Sequence, residues 1–164
     1  MQIKNKMSVD DVSMNVMVTA LGGKYIKALK EINLRLRTDS NNISYLQTKA
    51  EIYYHMRRFK KSIKMLKLII KLEPVNLQAR YILSENYLAL QDFKKLILNE
   101  RKIFKNLSII RSREKYKYYI SLANALRLNH KKNSAIQILK KGLADCKNGK
   151  NELKFELNET LKMS

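Results

Sequence analysis

The side chains that carry chemistry in other proteins are few in this sequence, and their spacing does not match the usual catalytic arrangements. His55 and His130 are the two histidines, and neither has a second histidine or a cysteine at metal-ligand spacing. The segment 112–115 (SREK) has the Ser-x-x-Lys spacing of penicillin-recognising enzymes without their other motifs. The pair Gly22-Gly23 lacks the Lys-Ser/Thr that follows a phosphate-binding loop. We therefore expect no catalytic residue, no metal site, no cofactor and no enzymatic activity.

The charge balance is strongly basic, with 34 Lys and Arg against 14 Asp and Glu and a formal net charge of +20. Lys, Asn, Ile and Tyr are abundant together, and all have AT-rich codons. The charge is therefore explained either by codon bias, which would leave a solvated lysine surface, or by a surface that binds polyanions. Both explanations stay open.

The sequence was compared with three features of secreted or membrane proteins, which are disulfides, a secretory signal and a transmembrane segment. Cys146 is the only cysteine, which excludes an intrachain disulfide. The first residues contain no continuous apolar stretch of the kind found in a secretory signal. No run of eighteen apolar residues predicts a transmembrane segment. We expect a cytoplasmic protein.

One segment, FKKSIKMLKLIIKL at 59–72, shows the type of element that would position any site. Its apolar residues recur every three or four positions, which predicts one buried face of a helix. Its lysines lie mostly on the other face, and Pro74 follows shortly after the segment. Four glycines and one proline in the whole chain also favour long helices over a many-turned β fold.

This helical pattern repeats at a fixed interval. Tyr25, Phe59 and Phe93 begin similar segments 34 residues apart, and a second helical pattern precedes each of them. A fourth copy at 131–143 arrives five residues late. The delay falls within 105–115, where it either lengthens a helix or makes a longer loop. Each unit is thus predicted to be two amphipathic helices joined by a tight turn.

These units resemble the tetratricopeptide repeat family, whose unit is a 34-residue helix–turn–helix. The second copy carries the match best, through Ala50, Tyr53, Phe59, Ser62, Leu66 and Pro74. The third copy departs at Leu96, where a small residue is usual, and at Glu100, where a large apolar one is usual. No copy has the family's tryptophan.

The resemblance implies an all-α fold, a right-handed α-solenoid of about four helix–turn–helix repeats with a C-terminal capping helix. A single domain would cover 1–164, with repeats at about 9–42, 43–76, 77–110 and 116–149 and the capping helix at about 150–163.

In such a stack the first helices line a concave groove and the second helices form the convex back. The helical period predicts a groove of methionines, tyrosines and a few polar or charged residues, and packing between helices is the alternative for each. The predicted groove residues are Met14, Met17, Thr48, Glu51, Tyr54, Tyr81, Ile82, Glu85, Asn124 and Arg127. Methionine and tyrosine suit adaptable contacts with a peptide.

The basic residues belong mainly to the second helices. The predicted basic surface comprises Lys60, Lys61, Lys64, Lys67, Lys71, Lys94, Lys95, Lys102 and Lys105. The leading hypothesis is a protein–protein interaction adaptor, scaffold or chaperone-like module that binds a protein or peptide segment in the groove. The alternative is binding of RNA, DNA or an anionic membrane surface through the basic convex helices.

Overall fold

The computed structural model describes residues 7–106, 108 and 112–163, and its regular elements there are all helical, which confirms the predicted all-α fold. The α-helices are α1 (Val9–Leu21), α2 (Tyr25–Thr38), α3 (Ile43–His55), α4 (Phe59–Leu72), α5 (Leu77–Ala89), α6 (Phe93–Phe104), α7 (Lys115–Leu128), α8 (Lys132–Asp145) and α9 (Lys150–Lys162). The pairs α1–α2, α3–α4, α5–α6 and α7–α8 are each joined by a short turn.

Every one of these turns has a residue in the left-handed region at the same place. The residues are Gly23, Arg57, Gln91 and His130, with φ of 82°, 57°, 54° and 55°. At the second turn, the Arg58 N–H donates to the Tyr53 carbonyl and the Arg57 N–H to the Tyr54 carbonyl, both at 2.8 Å. The other three turns have the same two hydrogen bonds, which form a Schellman motif. A common local geometry therefore reverses the chain in each pair.

The first helices of three pairs begin at polar caps in the same 34-residue register. Ser8, Asn42 and Asn76 accept a hydrogen bond from the backbone N–H three residues later, at 3.1, 3.1 and 2.8 Å. These bonds satisfy amides that have no partner inside the helix, and they determine where each first helix starts.

The five-residue delay does not lengthen the second helix of the third pair. Helix α6 ends at Phe104, and a 3₁₀ turn at Ser112–Glu114 precedes α7. Residues 107 and 109–111 of this segment lie outside the described residues.

The described chain divides into two compact units between Asn86 and Tyr87. In the N-terminal unit (7–86), α1 packs against α2 and α3, α2 packs against α3, and α3 packs against α4. An apolar cluster in the core of this unit comprises Val12, Val16, Ala20, Ala28, Leu29, Ile32, Tyr45 and Ile52. Ile52 of α3 thus completes the core of the preceding helical pair.

In the C-terminal unit (87–163), α6 packs against α7, α7 against α8, and α9 against both α7 and α8. Helix α9 therefore occupies on α7–α8 the place that α3 occupies on α1–α2, and this confirms the predicted capping helix. Gly149 before α9 has φ of 71°, and a Cβ there would lie 2.1 Å from the ring of Tyr116. Only glycine fits this turn.

The left-handed turns predict opposite effects for two substitutions. Arg57→Gly should raise the free energy of unfolding by about 0.5–1 kcal/mol, because glycine adopts this conformation without strain. Gly23→Ala should lower it by about 1 kcal/mol, since its new Cβ meets nothing within 4 Å and only the backbone conformation is tested. Urea unfolding measures both, and equal destabilisation by the two variants would contradict the assignment of these turns.

Candidate functional site

A pocket of about 610 Å³ lies between α1 and α3. The α1 residues that line it are spaced by three and four positions, so they share one helix face. The lining residues are Asp10, Ser13, Met14, Met17, Ile43, Ser44, Gln47, Thr48 and Glu51. Its volume lies within the range of sites that hold small ligands or several side chains of a peptide.

The polar groups of the pocket hold one another in place. The hydroxyl oxygens of Ser13 and Ser44 are 2.9 Å apart, and the Ser44 hydroxyl donates to an Asp10 carboxylate oxygen at 3.5 Å. The Gln47 amide donates to Glu51 Oε1 at 3.1 Å. A carboxylate can accept about four hydrogen bonds, so both acids retain capacity for donors from a ligand.

An aromatic and acidic patch continues from the pocket along α3 and α5. Tyr81 is 59% exposed, and the Tyr54 ring lies 5.7 Å from the Phe59 ring. Burial raises the pKa of Tyr54 above its ordinary value, and the charges of the Glu85 carboxylate and of an ionised Tyr81 raise it further. Tyr54 therefore lies within electrostatic reach of Glu85 and Tyr81.

Among the predicted groove residues, Met14, Met17, Thr48 and Glu51 all line the pocket. Two predicted residues have less open surface than expected. Thr48 is 5% exposed and contributes only to the floor, and Ile82 is 7% exposed, so its predicted place on the open surface is wrong. Both occupy the register position of Met14, which is 67% exposed. The helical period alone did not distinguish the open position in α1 from the covered ones in α3 and α5.

The predicted groove residues of the fourth pair contact the capping helix. The Arg127 guanidinium donates to Glu156 at 2.8 Å and to Thr160 at 3.2 Å, and also to the side-chain oxygen of Asn124. Because Glu156 and Thr160 belong to α9, the prediction that Asn124 and Arg127 line an open groove is corrected.

Ser13 and Gln47 lie on the helix faces that the helical period predicts for the groove, whereas sequence reasoning missed Asp10, Ile43 and Ser44 as site residues. Asp10 lies one helical turn before Met14, and Ser44 lies one turn before Thr48. Extending each predicted face by one turn toward the cap would have found them, because residues four apart lie on the same face.

The residues of the predicted basic surface belong to α4 and α6, with Lys105 at the C-terminal cap of α6. All nine of the predicted lysines are exposed. Lys60, Lys64, Lys67 and Lys71 follow the three-and-four spacing along α4 and so form a stripe. Lys95 pairs with Asp92 at 2.5 Å, which partly compensates its charge.

Other kinds of site receive no support from the described residues. Among them, no three His, Cys, Asp or Glu side chains are grouped so that they could hold a metal ion. Within the same part of the chain, none of the helices has the length and apolar character needed to span a bilayer.

The Arg127 contacts predict a stability effect in the C-terminal unit. Arg127→Ala should lower the free energy of unfolding of the C-terminal unit by about 1–3 kcal/mol, because it removes charged hydrogen bonds from a half-buried site. Lys162→Ala is the matched control, since its ion pair with Glu159 is exposed and should contribute less than about 0.5 kcal/mol. Hydrogen exchange of α9 amides measures the difference. Equal protection of α9 in both variants would refute this role of Arg127.

A scan against protein-family models and a search of curated proteins gave no match to this chain. Solved structures do match it. One is a putative kinesin light chain with nearly identical TPR-like repeats from Podosopora anserina, at 12% identity and a TM-score of 0.76, covering 94% of this chain and 85% of that one. Another is MamA from Desulfovibrio magneticus RS-1, at 11% identity and a TM-score of 0.67, covering 94% and 93%.

A third similar structure is TTC0263, a thermophilic TPR protein of Thermus thermophilus, at 16% identity and a TM-score of 0.61, covering 93% and 81%. At such identities the likeness shows the fold alone. It confirms the tetratricopeptide-like repeat architecture that the sequence resemblance implied.

Proposed function

We propose that this chain, which has the fold of tetratricopeptide-repeat proteins, is a protein–protein interaction module that binds a segment of a partner in its N-terminal unit. The binding surface, here called the first-helix groove, comprises the pocket between α1 and α3 together with Tyr54, Tyr81 and Glu85. The observation that carries the proposal is the pocket itself, with Met14 exposed at its edge. The repeat fold of the similar structures supports an interaction scaffold in general.

The chemistry of this groove suits a peptide. Met14 and Met17 have flexible, polarisable side chains that adapt to different apolar partners. Each Å² of apolar surface that they bury against a ligand contributes about 25 cal/mol. Asp10 and Glu51 can accept hydrogen bonds from backbone or side-chain donors of the bound segment.

The proposal predicts that a photo-crosslinker placed in the groove captures one partner. With benzoylphenylalanine in place of Tyr81, an extract of the source organism should give a discrete adduct after irradiation. Met14→Asp in the same chain should reduce the adduct at least tenfold, because a charge then replaces the apolar contact. Met14 is 67% exposed, so the fold should tolerate the change.

The matched control is Ile26→Asp, because Ile26 of α2 is 71% exposed and lies outside the groove. It should leave the adduct unchanged. Loss of the adduct in the Ile26 variant with retention in the Met14 variant would place binding elsewhere and contradict the proposal.

A second candidate function is binding of a polyanion such as RNA, and the lysine stripe on α4 favours it. Four exposed like charges along one helix face repel one another unless salt or an anionic partner compensates them. A nucleic-acid strand would supply phosphates along the stripe.

This candidate predicts a steep dependence on salt. If the four lysines of the stripe each contact a phosphate, the affinity for a fluorescent single-stranded RNA should fall with a slope of about −3 in log K against log salt. Replacing all four by glutamine should bring the slope close to zero. A slope unchanged by that replacement would exclude the stripe as the RNA-binding surface.

A further inference from the structure

The first-helix groove has a charge opposite to that of the protein as a whole. Helix α1 contains Asp10 and Asp11 and no lysine or arginine, in a chain with a net charge of +20. Glu51 and Glu85 add two carboxylates on α3 and α5. Within the described residues neither Glu51 nor Glu85 has a salt-bridge partner.

Lys49 of α3 and Arg80 of α5 are basic, but neither lines the pocket. Lys49 is half-buried, and burial first and the charge of Lys64 on α4 second lower its pKa from the ordinary value. The Arg80 guanidinium donates two hydrogen bonds to the Pro74 carbonyl, at 3.2 and 2.8 Å. The nine residues that line the pocket include two acids and no base.

A segment with both cationic and apolar side chains would find three favourable features together in this groove. Half-buried carboxylates attract a cation more strongly than exposed ones, because water screens them less. The exposed face of Tyr81 and the neighbouring Tyr54 suit a lysine or arginine side chain through cation–π contact. Met14 and Met17 line the same pocket as Glu51 and suit apolar side chains of the same segment.

We propose that the partner segment is basic and amphipathic, with apolar side chains against Met14 and Met17 and lysine or arginine side chains against Glu51, Glu85 and the two tyrosines. This inference rests on the proposed function and specifies the chemistry of its ligand. An acidic segment would be attracted by the protein's overall charge, but it would be held by the exposed lysines and repelled at the groove.

A displayed library of random 16-residue peptides tests the inference. The library is selected in parallel on the wild-type protein and on the uncharged Met14→Ser variant, in about 0.3 M salt to screen the exposed lysines. Peptides enriched by the wild type alone depend on the groove. We expect these peptides to be enriched in lysine and arginine, together with leucine, isoleucine and phenylalanine at amphipathic spacing.

The possible results separate this inference from the proposed function. Groove-dependent peptides with neutral or acidic composition would overturn the basic partner and leave the groove as a peptide site. Enrichment of the same peptides by both proteins would contradict peptide binding in the first-helix groove, and therefore also the inference about the partner's charge.

One enriched peptide then tests the role of the carboxylates. Glu51→Gln should weaken its binding about five- to tenfold and reduce the salt dependence of its Kd. Glu31→Gln removes the same charge from α2, outside the groove, and should leave the Kd within about twofold. Equal losses from the two variants would show that only net charge matters and would overturn the assignment of Glu51.

Discussion

The structure depends on one packing constraint, which is that each helical pair leaves an apolar face that another helix must cover. In the N-terminal unit, Ile52 of α3 is fully buried in the core formed by α1 and α2. Val18 occupies the same register position in α1 and is 65% exposed. The 34-residue period keeps each covering residue in register, and the repeated left-handed turns keep each pair in the same geometry. In the C-terminal unit the covering helix is α9, and Arg127 beneath it bonds to Glu156 and Thr160 instead of lining an open surface.

This constraint also separates the charges. The core and the contacts between first helices exclude lysine, so the stripe at Lys60, Lys64, Lys67 and Lys71 lies on the exposed side of α4. The first helices retain Asp10 and Glu51 beside exposed methionine. A protein with a net charge of +20 thus presents a small acidic and apolar groove. The overall charge therefore does not identify the chemistry of the surface that we propose as the binding site.

The sequence was sufficient for the helices but not for all of the candidate site. The second helices were predictable because their apolar and lysine faces alternate clearly, as in 59–72, and the capping helix followed from Gly149 and the leucines after it. Burial of Ile82 and the engagement of Arg127 by α9 were not predictable, because they depend on which helix lies above each position. The end of α6 at Phe104 was not predictable, since the delay in register fits either a loop or a longer helix.

The central claim is that binding occurs in the first-helix groove and not on the lysine surface. Its most direct test is the Kd of a groove-selected peptide for the wild type and for a variant with Lys60, Lys64 and Lys67 all changed to glutamate. The account predicts that the variant binds at least as tightly, because the groove is unchanged and the repulsion of a basic peptide falls. A loss of tenfold or more in the variant, with its helical content and unfolding temperature intact, would contradict the account.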